Sequence, residues 1–400
     1  MSTAPSAPAA IDRARAETAA TVARREEALA YPGGTLAEAL RRERSARSGP
    51  NGAGQTRRLL DPGDPITTAR AFLAELYGEG EVTTLRHHRG DFRSWSGRHY
   101  ATLADDTLRG EVWRYLEAAE RPAKNGAVPF KPSTTNVNEV VDALRGVTHL
   151  DRDHAAPAWL DGRADPDPRG LVPCRNGLLH LGRRRLLPHS PALLNDYALP
   201  FDYEPNAPEP REWLRFLAGL WPEDQEAVDT LQELFAYLLS GETQQQKIFL
   251  IVGPRRSGKG TIARTLKALM GPDNVAGPTL SAMTERFGLQ ALLGRPVAII
   301  ADARLSGRAD QAVIAERLLS ISGEDTLTID RKHRDPETVQ LPTRLILMTN
   351  ELPRIGDTSG ALASRFVVWT LTRSWLGRED PHLFHRLVGE LPSMIGRAHV

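Results

Sequence analysis

Lys247-Ile-Phe-Leu-Ile-Val252-Gly253-Pro-Arg-Arg-Ser-Gly258-Lys259-Gly260-Thr261 is the stretch that decides the fold. The unbroken apolar run from Ile248 to Val252 reads as a strand buried on both faces, the kind found in parallel sheets. It runs straight into a glycine-rich loop. Ile262, Leu266, Leu269 and Met270 then share one helical face, and Gly271 is the expected stop. Strand, G-x-x-x-x-G-K and helix in this order make the context of a phosphate-binding loop (P-loop). Glycines let backbone amides curl around phosphates, and the helix N-terminus adds partial positive charge. The expected cradle is Gly253, Pro254, Arg255, Arg256, Ser257, Gly258, Lys259, Gly260 and Thr261, with Lys259 reaching the β- and γ-phosphates. Gly260 stands where a hydroxyl usually follows the lysine, so Mg²⁺ contact is assigned to Thr261.

Downstream, two more buried strands end in polar residues. Val297 to Ala301 ends at Asp302, a carboxylate placed to hold Mg²⁺ and its water. The next residues are Ala303 and Arg304, so no second acid follows, and the base that activates water stays open. Leu345 to Thr349 ends at Asn350, which could orient the attacking water or sense a γ-phosphate. Arg365 lies fifteen residues on and could offer its guanidinium to the γ-phosphate of a neighbouring subunit. Between Asp302 and Asn350, Thr326 to Asp330 alternates like a half-exposed strand and leads into Arg331-Lys332-His333-Arg334. A hairpin capped by these basic residues could grip a DNA phosphate. The net charge of +1 means that any nucleic-acid contact has to come from such a local feature.

Around this core the chain divides by composition into three expected parts. Residues 1–65, rich in Ala, Arg, Glu, Gly and Pro, read as a disordered or linker-like segment. Residues 66–245 read as a mostly helical domain, with helical spacing at Ala69 to Tyr77, Thr107 to Ala119, Trp213 to Leu220 and Ala227 to Leu239. Asn176-Gly177 marks a tight turn between two short strands there. Residues 246–400 alternate strands and helices, which predicts an α/β fold with a covered parallel sheet. The single cysteine, Cys174, excludes an internal disulfide and a cysteine-based zinc cluster. The apolar runs are too short to span a bilayer and no signal peptide is evident, so a cytoplasmic location without membrane contact is expected.

The order Gly253 to Thr261, Asp302, Lys332-His333, Asn350 and Arg365 resembles superfamily 3 helicases. It is most similar to the phage and plasmid primase–helicase family shared with poxvirus nucleoside triphosphatases. Asn350-Glu-Leu-Pro353, Asp357 to Arg365 and Gly323-Glu-Asp325 are similar to that family's blocks. Upstream, Cys174-Arg-Asn-Gly-Leu-Leu and Leu199-Pro-Phe-Asp-Tyr-Glu-Pro resemble its helicase-associated region.

The resemblance implies an AAA+-like ATPase core, preceded by a helicase-associated domain, in a hexameric ring with ATP between subunits. It implies ATP and Mg²⁺ as cofactors, single-stranded or forked DNA as partner, and central-channel hairpins that pull the strand. Carried over, Lys259 and Thr261 bind nucleotide, Asp302 binds metal, Asn350 senses, Arg365 acts in trans, and Lys332 with His333 contact DNA.

The first 65 residues are too few for the primase domain many members carry, and Asp165-Pro-Asp167 is read as a loop rather than a primase pair. A C-terminal winged-helix domain is not expected before Val400, so a separate primase or origin-binding protein is an expected partner. The expected function is an ATP-dependent DNA helicase or translocase of phage or plasmid replication. An ATP-gated DNA-binding or assembly protein with little unwinding, and a P-loop small-molecule kinase, remain alternatives.

Overall fold

The computed structural model describes residues 58–79, 82–303, 311–332, 334–352 and 360–395. They form two compact units. Among the described residues the smaller combines Arg58–Thr68 with Arg109–Val140, and the larger combines Ala69–Leu108 with the residues from Val141 on.

At the centre of the larger unit is a five-stranded parallel sheet. Its strands are β3 (Ile248–Val252), β4 (Val275–Ala276), β5 (Val297–Ile300), β8 (Arg344–Thr349) and β9 (Phe366–Thr370), in spatial order β4-β5-β8-β3-β9. Successive side chains point to opposite faces, so the run Ile248 to Val252 splits between two cores. Phe249 and Ile251 join one cluster with Ile299, Ile346, Met348 and Trp369, while Ile248 and Leu250 join another with Ile300, Leu345 and Leu347. Helices α1 (Arg211–Leu220), α2 (Gln225–Leu239) and α3 (Lys259–Met270) cover the first face, through Trp213, Leu217, Leu231, Leu234, Ile262 and Leu266. Helix α4 (Gln311–Ser322) and the antiparallel hairpin β6 (Thr326–Arg331) to β7 (Arg334–Gln340) cover the second. The expectation of an α/β core with a covered parallel sheet is met. Helix α3 stops at Gly271, whose φ of 89° is open to glycine and costly for other residues.

Upstream, three expectations need correction. The chain is already built into the smaller unit from Arg58, before the expected end of the linker at 65. The Leu60 amide donates to Glu120 O at 2.8 Å, and the Leu60 side chain is buried. Second, residues 66–245 are not mostly helical. Many short strands lie among the helices, including β1 (Leu85–His88), β2 (Asp91–Trp95) and the hairpin Leu171–Cys174 with Gly177–His180. Runs of two to five residues are too short for a period of two to stand out. Third, the division at 245/246 cuts through one core. Val172, Leu179, Leu199 and the apolar faces of α1 and α2 share the cluster that contains Phe249 and Trp369. Two indoles cross the same line, with Trp369 Nε1 donating to Ala227 O at 3.0 Å and Trp221 Nε1 donating to Thr370 O at 3.1 Å. Amphipathic helices need a partner for their apolar stripe, and here the sheet supplies it.

Asp165-Pro-Asp167 is used locally. Asp165 lies 3.5 Å from Arg183, and the Asp167 carboxylate accepts from the Arg169 amide at 2.9 Å. Among the described residues no helix is long and apolar enough to cross a membrane.

Candidate functional site

In a parallel sheet all strands end at one edge, and the loops leaving that edge meet. Strand β3 leads into the glycine-rich loop, β5 into Asp302 and β8 into Asn350. Register keeps them level. Val252 is paired with Thr349, and Ile300 with Leu347. Just past the strand ends, the Gly253 amide donates to Thr349 O at 3.2 Å and the Ala303 amide to Met348 O at 2.8 Å.

Two glycines in the loop are required by its shape. A Cβ at Gly253 would sit 2.7 Å from both Cβ and O of Leu371. Gly258, at the start of α3, has φ of 105°, and a Cβ there would lie 2.9 Å from Leu220 Cδ2. The Lys259 ammonium folds back over the loop. It donates to Gly253 O, to Pro254 O at 2.8 Å, to Asn350 Oδ1 at 3.1 Å and to Ser257 Oγ at 3.4 Å. Burial holds its pKa below the ordinary lysine value. Ser257 is buried, whereas Pro254, Arg255, Arg256 and Gly260 are exposed and Thr261 is half-buried. Thr261 Oγ1 accepts from Arg264 Nη2 at 3.4 Å. Lys259 and Asn350, ninety-one positions apart in sequence, are therefore direct neighbours. Asp302 is exposed at the same edge, and β5 lies two strands from β3, about 10 Å at ordinary strand spacing.

Arg365 is elsewhere. It ends the short helix α5 (Ala361–Arg365), and β9 begins at the next residue. Because Phe366 is paired with Ile248, Arg365 stands at the edge where the strands begin. Its Nη1 donates to Gln246 O at 3.5 Å.

The basic hairpin tip is only partly as expected. Lys332 is exposed, and its backbone amide donates to Gln290 Oε1 at 2.9 Å. Arg331 is the correction, because its side chain is just 8% exposed and is ion-paired to Asp91 at 3.4 Å and Glu337 at 3.3 Å. It is a packed structural charge, not a presented one. Arg334 is half exposed and also pairs with Asp91. His333 and the segment 353–359 lie outside the described residues.

A brace on the glycine-rich loop went unread in the sequence. Ser374 Oγ donates to Arg255 O at 2.8 Å, the Trp375 amide donates to Arg256 O at 2.9 Å, and Glu379 pairs with Arg256 at 3.3 Å. These bonds hold Arg256, whose φ is 59°, in a left-handed conformation. Ser-Trp carries no motif, so nothing in the sequence could announce it.

The edge can therefore offer loop amides, an ammonium, a carboxamide and a carboxylate to one ligand, a set suited to a polyphosphate. Thr261 and Asp302 supply hard oxygen donors. Among the described residues no cluster of three or more His, Cys, Asp or Glu could cage a metal. One or two protein oxygens plus substrate phosphates is the usual Mg²⁺ arrangement.

Residues 71–222 match the family model described as D5 N terminal like, and residues 251–365 match a family of unknown function, DUF5906. The resemblance to the phage and plasmid primase–helicase family drawn from the sequence holds. Among solved structures, the apo structure of the NrS-1 C-terminal region is 16% identical with a TM-score of 0.43, covering 50% of this chain and 48% of that one. The A form apo structure of the same region is 13% identical with a TM-score of 0.48, covering 84% and 69%. A crystal structure of JCV helicase bound to a substituted N-phenylacetamide is 19% identical with a TM-score of 0.34, covering 47% and 52%. The chain thus spans about half the length of the first of these. All three TM-scores lie below 0.5, and the fold rests on the strand order described above.

Proposed function

We propose that this chain is a nucleic-acid motor that hydrolyses ATP at the carboxyl edge of its sheet and moves along single-stranded DNA. The observation that carries the reading is the 3.1 Å contact between Lys259 Nζ and Asn350 Oδ1. It sets a cation for the β- and γ-phosphates beside a carboxamide able to orient water, with Asp302 at the same edge. Thr261 and Asp302 would hold Mg²⁺, which when bound draws charge from the phosphate oxygens. The loop amides fix the phosphates, Lys259 neutralises the charge that grows during transfer, and Asn350 positions the attacking water.

The position of Arg365 favours catalysis between subunits. A guanidinium at the amino edge cannot serve the loop at the carboxyl edge of its own chain, but it can serve a neighbour in a head-to-tail ring. A ring, hexameric in the family resembled, and work in the cytoplasm on replicating DNA belong to this reading.

The test is ATP turnover with and without single-stranded DNA. DNA should stimulate the wild-type chain, Lys259→Ala should abolish turnover, and Lys332→Ala should spare basal turnover while losing the stimulation. Stimulation by a nucleoside monophosphate instead of DNA would mark a small-molecule kinase. The intramolecular pairing of Arg331 and Arg334 gives weight to a second reading, an ATP-gated DNA binder. Nucleotide-dependent DNA binding without strand displacement on a fork would select it.

A further inference from the structure

We propose that Asp91 is a built-in stand-in for a nucleic-acid phosphate, masking Arg334 at the hairpin tip until DNA displaces it. The inference rests on the proposed role of the hairpin and adds to it a competing internal anion.

Asp91 opens β2, directly after the Arg89-Gly90 turn. Its two carboxylate oxygens take two different guanidiniums from the hairpin. Oδ2 lies 3.4 Å from Arg331 Nη1, and Oδ1 bonds Arg334 Nη1. A backbone phosphate presents two non-bridging oxygens to paired arginines in the same manner. Glu337 completes the network, 3.3 Å from Arg331 and 3.6 Å from Arg89. Three cations meet two carboxylates, so the tip carries much less free charge than Arg331, Lys332 and Arg334 would on their own.

The two arginines are held unequally, and that decides which one can change partner. Arg331 faces both carboxylates. Its Nε also donates to Asp335 O at 3.0 Å, and its side chain is 8% exposed. Arg334 has a half-exposed side chain (50%) and, among the described residues, meets one carboxylate, that of Asp91. Arg331 is thus the fixed post that keeps Asp91 in place, and Arg334 is the arm a phosphate can reach from solvent, beside exposed Lys332. The hairpin need not move for the exchange. Its tip is pinned from another side, where Arg286 pairs with Asp330 at 3.0 Å and Gln290 Oε1 accepts from the Lys332 amide at 2.9 Å.

The experiment is anisotropy of a labelled oligothymidylate on the full chain across a range of salt concentrations, with melting temperature as the check on folding. Asp91→Asn keeps the shape and removes the charge. It should tighten binding roughly threefold to tenfold at low salt and steepen the log–log salt dependence by at most about 0.7, the share of one phosphate contact on a single strand. The gain should vanish in Asp91→Asn/Arg334→Ala and be absent from Glu204→Gln, which removes an exposed acid elsewhere. A folded Asp91→Asn that binds no tighter, or whose gain survives without Arg334, overturns the proposal. Should the variant not fold, the wild-type chain still answers. The Arg334 side-chain Nε–H signal, followed by NMR, should shift when oligonucleotide is added, and an unchanged signal overturns the idea. If neither Lys332→Ala nor Arg334→Ala weakens binding, the hairpin itself is not the interface, and the proposed function fails at that point first.

Discussion

Arg365 offers the sharpest test, because its place in the sheet makes an all-or-none forecast. It precedes β9 at the strand-starting edge, while the glycine-rich loop leaves the opposite edge after Val252. Five strand residues separate the two levels, which at roughly 3.3 Å per residue is about 16 Å. That exceeds the reach of an arginine side chain. Arg365→Ala should then lower DNA-stimulated turnover on the order of a thousandfold, as loss of a charge-stabilising finger does. Lys259→Ala should do the same from the other side of the interface. Mixed together, the two dead proteins should recover activity. An interface between an Arg365→Ala subunit, giving its intact Lys259, and a Lys259→Ala subunit, giving its intact Arg365, is whole. In a random equal mixture of a head-to-tail assembly, about a quarter of the interfaces have this composition. The assay is steady-state ATP turnover after the two variants have been exchanged at low concentration and reassembled. Recovery toward a quarter of wild type supports action between subunits. No recovery, with subunit exchange verified by fluorescence transfer, would refute the assignment of Arg365.

Two further outcomes follow from geometry and charge. Gly253→Ala would push a methyl to 2.7 Å from Leu371 Cβ and O, so it should cost about 1–3 kcal/mol; a melting temperature and nucleotide affinity equal to wild type would contradict the close approach. His88 and His99 are each pushed down to about 4, mainly by burial and then by nearby arginines, from 6.5. Folding therefore favours their neutral forms, and their contribution is complete above pH 6.5 and lost as pH falls toward about 4. Each should be worth on the order of 1–2 kcal/mol after screening. The melting temperature should drop between pH 7 and pH 5 more steeply in wild type than in His99→Gln, and parallel curves would count against this.

The sequence made the central sheet legible because Ile248 to Val252 must be apolar at every position to serve two cores. The edge residues were legible because each follows such a strand directly. Strand β9 was not named, since Phe366 to Thr370 follows the Arg365 block without a turn signal. The upstream strands were missed because they are too short to show a period. Arg331 was misjudged for another reason. Its partner Asp91 is 240 positions away, and no local pattern tells a presented arginine from one neutralised by a distant turn. Asn350 lies beside the lysine because both follow neighbouring parallel strands, whereas the place of Arg365 at the far edge depends on a strand register that no local pattern announces.

Helix α1 bears on where this module can be cut. Leu220 Cδ2 and Phe216 Cζ stand 2.9 and 3.5 Å from the place a Cβ would occupy at Gly258, so this helix walls the start of α3. A recombinant fragment beginning at Lys247 would include the glycine-rich loop, Asp302, Asn350 and Arg365 and still leave that flank, and the indole of Trp369, open to water. The shortest self-sufficient piece has to reach back past Arg211, into the stretch that matches the D5 N terminal like model.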